Sequence, residues 1–290
     1  MKKGAEIMKD LAYYNGVYTP YDAACIPLSD RSIFFSDAVY DVILGHGEKV
    51  YQFDEHIDRL LTNAERIGLV DFPTKLELYE VAENLLTEAD ADDFLLYVQL
   101  SANNERRNHA RVNGGVNLLM TITECEFPRE IGEIKAITMP DMRHNFCNIK
   151  TTSLLPAVLS VEEAKRRGAD IAVFHKNQIV TECSSANISF VKNATLITRP
   201  LDSDILPGIT QKNLISACQR LGIPHDCRRF TIDELYDADA VMITSTTKLI
   251  KVCTEIDGAE LTPKNVDTVK LLFDTLRDDL YAKTGRNYAK

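Results

Sequence analysis

Residues 171–175, 179–182, 186–191 and 195–198 are four short β-prone runs, and the gaps between them are too short to hold a helix. Strands this close in sequence satisfy their backbone only by lying side by side, so the second half of the chain must build a strand-dense sheet. The spacing predicts a mixed, partly barrel-like sheet there. With 290 residues, 45% of them apolar and 26% charged, the chain is long enough for two domains of ordinary size.

The first half reads differently. Asn15-Gly16 between two β-prone runs is a hairpin signal, because both residues accept the positive φ of a type I′ turn. Strands are expected at 38–44, 50–53, 94–101 and 116–123, with a polar loop over 103–115. Asp54 is placed to cap a helix whose apolar positions Ile57, Leu60, Leu61, Ala64 and Ile67 repeat at helical spacing until Gly68. Arg59 lies off that apolar face. Thr74 and Glu77 form a capping box for a helix over 75–89, and Thr231 and Glu234 form another. Beyond residue 150, Thr152 or Ser153 is expected to cap a helix running to Arg167, with Pro156 in its first turn. Further helices are expected from Gly208 to about Leu221 and along the amphipathic pattern Val266, Val269, Leu272, Phe273, Leu276, Leu280. The expected fold class is therefore α/β with α+β: a smaller α+β domain over 1–125, a linker over 126–131 and a larger domain over 132–290. Residues 1–10 read as a loose leader, with Met8 as an alternative start.

Charge and cysteine content narrow the functional classes. Lys and Arg total 33 against 43 Asp and Glu, a formal charge of −10, so no cationic stripe suits nucleic acid. No apolar run reaches membrane-spanning length and no secretory h-region opens the chain, so a cytoplasmic location is expected. The seven cysteines are odd in number and contain no C-x-x-C pair, which argues against a disulfide framework or a zinc site.

Several segments can carry chemistry. Lys150, in Asn148-Ile149-Lys150-Thr151-Thr152-Ser153, sits at the edge of an apolar run just before a helix, where an amine can be desolvated and made nucleophilic. Taken alone, it reads equally as a lysine snorkelling from a core segment. Glu182 lies between two apolar runs and needs a partner if buried. Gly208-Ile209-Thr210 at a helix start offers free N–H groups to an anion, although ordinary loop punctuation looks the same. Ser245-Thr246-Thr247 at a strand end offers hydroxyls and amides.

Taken together, Phe53-Asp54-Glu55-His56-Ile57-Asp58-Arg59-Leu60, Asn148-Ile149-Lys150, Val180-Thr181-Glu182-Cys183-Ser184-Ser185-Ala186-Asn187, Ile205-Leu206-Pro207-Gly208-Ile209-Thr210 and Thr244-Ser245-Thr246-Thr247 resemble the class IV aminotransferases, pyridoxal phosphate enzymes of fold type IV. The likeness spans nearly the whole chain. It implies that Lys150 holds pyridoxal 5′-phosphate covalently and moves the substrate proton. It also implies that Glu182 faces the pyridine nitrogen and that Arg59 clamps the phosphate. Ile209, Thr210, Ser245 and Thr246 would add phosphate donors, and Leu206 would pack on the ring. The implied reaction is ping-pong transamination between an amino acid and a 2-oxo acid such as 2-oxoglutarate, in a homodimer with the cofactor in the cleft between the domains and Lys150 and Glu182 on the larger side.

Arg107-Asn108-His109 resembles the carboxylate trap of the D-amino acid aminotransferases within that family. Ile33 stands where those enzymes carry a tyrosine expected to join the trap, so a wider or drier pocket is expected. Branched-chain L-amino acid aminotransferases, aminodeoxychorismate lyases and a non-catalytic cofactor-binding module remain alternatives at this stage.

Overall fold

A computed structural model describes residues 10–89 and 91–287; the leader expected over 1–10 falls, except for Asp10, outside the described residues. The chain forms two compact units. The first comprises Met1–Phe127, Ile149–Ser153 and Leu280–Lys290, and the second Pro128–Asn148 and Leu154–Asp279.

In the first unit the chain runs β1 (Leu11–Tyr14), β2 (Val17–Pro20), α1 (Arg31–Phe35), β3 (Ala38–His46), β4 (Lys49–Val50), α2 (Phe53–Arg66), α3 (Lys75–Glu88), β5 (Asp93–Ala102) and β6 (Val116–Glu124). The strands pair antiparallel in the order β2-β1-β6-β5-β3-β4. Asn15 and Gly16 take φ of 44° and 92°, as the hairpin turn requires. Ile57, Leu60 and Ala64 of α2 and Leu78 and Leu85 of α3 pack into one core with Leu96, Val98 and Leu100 of β5 and Met120 and Ile122 of β6. Thr74 and Glu77 make the expected reciprocal cap of α3, worth about 1 kcal/mol. The cap of α2 differs from expectation: its N-cap is Gln52, in the left-handed region, and Asp54 lies inside the first turn, where it favours the helix through the dipole instead.

The second unit runs β7 (Gly132–Pro140), α4 (Leu155–Arg166), β8 (Ile171–Lys176), β9 (Ile179–Cys183), β10 (Asn187–Lys192), β11 (Thr195–Thr198), α5 (Ile209–Leu221), β12 (His225–Cys227), α6 (Ile232–Tyr236), β13 (Ala240–Ser245), β14 (Leu249–Ile256), β15 (Ala259–Glu260) and α7 (Val266–Thr284), whose end from Leu280 belongs to the first unit. Its strands form one mixed sheet, β12-β11-β10-β13-β14-β7-β8-β9, with β15 on β14. Three pairs, β11 with β12, β14 with β7 and β7 with β8, are parallel. The strand-dense stretch is thus a half-barrel of the expected mixed kind. Alternation along β8 assigns its faces: Ile171 and Val173 enter the core with Ile134, Ile188 and Ile243, whereas Ala172 and Phe174 pack with Ala164 of α4.

Two expectations are corrected here. Lys150 does not belong with the larger unit: Ile149 is buried in the first unit's core, Thr151 bridges Val39, and backbone bonds run from Tyr40 N to Lys150 O (3.0 Å) and from Thr152 N to Ala38 O (3.2 Å). The segment is extended because it pairs with the start of β3, a tertiary contact the local sequence cannot announce. For the same reason neither Thr152 nor Ser153 caps α4. The N-cap is Leu154, with Pro156 in the first turn, and the Thr152 hydroxyl donates to the Ser36 carbonyl at 3.1 Å.

Candidate active site

In the first unit, pairing with β3 sets Lys150 beside Tyr40, the lysine Nζ standing 4.4 Å from the ring centroid. Tyr40 is stacked on Tyr97 at 5.4 Å. An amine over an aromatic face is held electrostatically without a counter-ion that would quench it.

Arg59 lies off the apolar stripe of α2, as expected, and the polar group it reaches is on β3. Its Nε and Nη2 donate to Asp41 at 2.8 and 2.7 Å, and His56, one turn earlier, bonds the same carboxylate through Nδ1 at 2.7 Å. Asp41 is fully buried. Burial alone would raise its carboxyl; the Arg59 guanidinium and the His56 bond outweigh that and hold it well below the usual carboxylate range. Burial lowers the His56 pKa, which keeps the imidazole neutral and leaves its Nδ1–H to donate to Asp41. One edge of the Arg59 guanidinium is thereby fixed in direction. Sequence reasoning missed Asp41, yet a lone carboxylate in the apolar strand Ala38–His46 calls for a partner by the same argument applied to Glu182.

Glu182, on β9, is buried and carries three donors: Arg143 Nη1 and Asn187 Nδ2 (3.1 Å) from side chains, and the Leu206 backbone N–H (3.1 Å). Arg143 is gripped in turn by Asp141, which accepts from Nε at 2.9 Å and Nη2 at 2.7 Å, and it lies 4.9 Å over the Phe174 ring. Desolvation pushes the Glu182 carboxyl up to about 7, with Arg143 and the Leu206 N–H pulling the other way. A carboxyl poised there can hold or surrender a proton near neutral pH. Arg143 and Asp141 went unnoticed in the sequence because they stand in an irregular segment after β7 with no periodicity to read.

Asn187 links this carboxylate to the next expected element. Its Nδ2 also donates to the Leu206 carbonyl at 2.9 Å, and its Oδ1 would lie 1.9 Å from a Cβ at Gly208. Gly208 has φ of −69°, so glycine is required there by close approach and not by backbone conformation. Gly208 is the N-cap of the 13-residue helix α5, whose first N–H groups, at Ile209 and Thr210, have no intrahelical acceptor. At the end of β13 the hydroxyls of Thr244 and Ser245 are buried with no hydrogen-bond partner among the described residues. Unsatisfied buried hydroxyls and orphan amides suit an anionic group with several acceptor oxygens. Thr246 follows, half-buried.

The Arg107 and His109 side chains are exposed on the loop between β5 and β6, and both pack on Phe35: the guanidinium lies 5.3 Å and the imidazole 5.2 Å from the phenyl centroid. Ile33, expected beside them, is 47% exposed on α1; the ring set against the pair belongs to Phe35, two residues on.

The class IV amino-transferase family pattern matches residues 38–256. A D-alanine aminotransferase of Listeria monocytogenes serotype 1/2a is 35% identical over 244 residues, 82% of this chain and 84% of that protein. One from Staphylococcus epidermidis is 31% identical over 261 residues, 89% and 93% of the two chains. Among solved structures, the branched-chain aminotransferase of Thermoproteus uzoniensis with norvaline superposes with a TM-score of 0.82 at 26% identity, covering 96% of each chain. The Escherichia coli branched-chain enzyme gives 0.84 at 19% identity over 97% of each, a likeness of fold. A match over residues 38–256, together with relatives above 30% identity across most of the chain, makes this protein a member of the class IV aminotransferases, enzymes that depend on pyridoxal 5′-phosphate.

Proposed function

We propose that this aminotransferase acts on D-amino acids of the D-alanine type, passing the amino group to a 2-oxo acid such as 2-oxoglutarate in a ping-pong cycle. The observation that carries the reading is the Arg107–His109 pair: an exposed guanidinium and an exposed imidazole oriented on one phenyl ring, with Arg107 making no ion pair among the described residues. A guanidinium kept charged, oriented and uncompensated suits a carboxylate substrate. The curated relatives named D-alanine aminotransferase support the same choice.

When bound, pyridoxal 5′-phosphate supplies an aldehyde that accepts the amino group and a ring that withdraws electrons from the substrate carbon. Lys150 is the residue to hold it covalently and, once displaced, to carry the proton to and from that carbon. Glu182, its orientation fixed by Arg143 and Asn187, would hold the proton at the ring nitrogen. On the family resemblance Arg59, its direction set by Asp41, would bind the phosphate, Ile209, Thr210, Ser245 and Thr246 would add donors, and Leu206 would pack on the ring. Two observations support this reading: the Ser245 hydroxyl is buried with no partner among the described residues, and burial pushes the Glu182 carboxyl up to about 7.

The enzyme is also proposed to work as a cytoplasmic homodimer. Leu155, Val158 and Leu159 of α4 are 67%, 53% and 57% exposed, an apolar stripe suited to a second copy. No helix among the described residues is long and apolar enough to cross a membrane.

Adding D-alanine or L-leucine to separate samples of holoenzyme, while following the visible absorbance of the bound cofactor, tests the reading. D-alanine alone should bleach the band. Bleaching by L-leucine alone moves the protein to the branched-chain enzymes, and no response to either moves it to elimination chemistry or to binding without turnover.

A further inference from the structure

The Arg107–His109 segment lies in a loop, residues 103–115, that contains no helix or strand. A loop of that length loses its conformational freedom only if something holds it. Arg31 supplies much of that hold. It is 4% exposed, and its Nη1 and Nη2 donate to the carbonyls of Asn108 (2.6 Å) and His109 (3.0 Å) while Nε donates to Asp37 (2.8 Å). The same Asp37 carboxylate binds Arg111 through Nε (2.9 Å) and Nη2, and Arg111 Nη1 reaches the carbonyls of Ile67 and Gly68 at 2.8 and 3.0 Å. Glu105 closes the loop on itself by accepting the N–H groups of Val112 and Asn113 at 3.0 and 3.2 Å.

The Asp37 and Glu105 carboxylates are therefore engaged with Arg31, Arg111 and backbone amides. Arg107 is oriented by a different kind of contact. Phe35 stands one helical turn after Arg31, and its ring faces the Arg31 guanidinium at 4.7 Å, the Arg107 guanidinium at 5.3 Å and the His109 ring at 5.2 Å. An aromatic platform orients a cation without neutralising it, whereas a carboxylate in its place would compete with an incoming carboxylate. His109, Arg31, Phe35, Asp37, Arg111 and Thr151 line a cavity of about 410 Å³.

We infer that Arg31 and Phe35 are positioning residues for substrate recognition: Arg31 fixes the backbone of Asn108 and His109, and Phe35 orients Arg107 while leaving its charge uncompensated, so that the carboxylate-binding pair is built before substrate arrives. This rests on the reading of Arg107 and His109 given above. Preorganisation of this kind acts on binding of the substrate carboxylate and not on the proton transfer at Lys150.

The test compares the holoenzyme with Arg31→Lys, Phe35→Leu and the Arg107→Ala/His109→Ala double variant, alone and combined. The readouts are KM and kcat for D-alanine, the inhibition constant of propanoate as a non-reacting carboxylate, and the affinity for pyridoxal 5′-phosphate. Arg31→Lys and Phe35→Leu should each raise KM and the propanoate constant on the order of tenfold, the size of one lost charge-assisted contact. Their kcat should change far less and their cofactor affinity should stay at the parent value. In the Arg107→Ala/His109→Ala background neither change should add anything, because its target is gone. A full additional rise in that background overturns the inference, as do parent-like constants for Phe35→Leu, which keeps an apolar side chain in place and tests the platform even if Arg31→Lys folds poorly. If the double variant itself leaves both constants unchanged, the carboxylate role of Arg107 and His109 fails first and takes this inference with it. If the double variant raises them and the two positioning variants do not, only the inference fails.

Discussion

Replacing Glu182 by Gln in the cofactor-free protein isolates the cost of keeping a carboxylate in the second unit. Its carboxyl is pushed up from an ordinary 4.5 to about 7 by burial, against the pull of Arg143. The folded protein therefore holds this proton more tightly than the unfolded chain does. The stabilisation is complete below about pH 4.5 and is lost as pH rises through about 7. Integrating the difference in proton binding between pH 5 and pH 8 gives a loss on the order of 2–3 kcal/mol from this one group. Glu182→Gln removes the titration. It also has a constant cost, because Asn187 Nδ2 and the Leu206 N–H both aim at the same oxygen and one amide orientation would meet them with a donor. That cost is the same at both pH values and cancels in the difference. Thermal unfolding followed by circular dichroism, needed because the chain has no tryptophan, should show the parent losing several degrees more than the variant between pH 5 and pH 8. Parallel pH dependences would refute the argument, because they would mean that Glu182 stays ionised in the folded protein across that range.

Asp41→Asn should weaken pyridoxal 5′-phosphate binding by roughly tenfold, since an amide whose oxygen keeps the bonds from His56 and Arg59 Nη2 turns its NH2 towards Arg59 Nε–H, donor against donor, and carries no charge to hold the guanidinium; equilibrium titration of apoenzyme with cofactor measures it, and an unchanged affinity would remove Asp41 from any part in orienting Arg59. Gly208→Ala places a methyl group 1.9 Å from the Asn187 amide oxygen and should destabilise the fold by about 1–3 kcal/mol while disturbing Glu182, read as a lower Tm and an altered pH dependence of the kind described above. A parent-like Tm would show that Asn187 can move aside without cost.

Local pattern determined a large part of this protein. The Asn15-Gly16 turn, the capping boxes at Thr74 and Thr231 and the glycine C-cap at Gly222 appear where residue chemistry puts them, because each depends on neighbours within four positions. The crowding of β runs over 171–198 likewise forced a mixed sheet. Strand β7, read as the start of the second domain but not as a strand, is in the sheet because parallel partners β8 and β14 lie on both its sides, and such partners leave no turn signal in sequence.

The candidate site divides along the same line. Lys150, Glu182 and Arg59 were legible as residue types in motifs, each a charge set against an apolar run. What they touch was not. Asp41 on Arg59, Arg143 on Glu182 and Phe35 under Arg107 are separated from their partners by 18, 39 and 72 positions, and Lys150 joins the first unit through pairing with a strand more than a hundred residues earlier. Sequence determines which groups can carry charge, cap or turn, because those are properties of a residue and its immediate neighbours. Only the tertiary fold decides which of them are buried together, and therefore which charges are compensated and which protons are shifted.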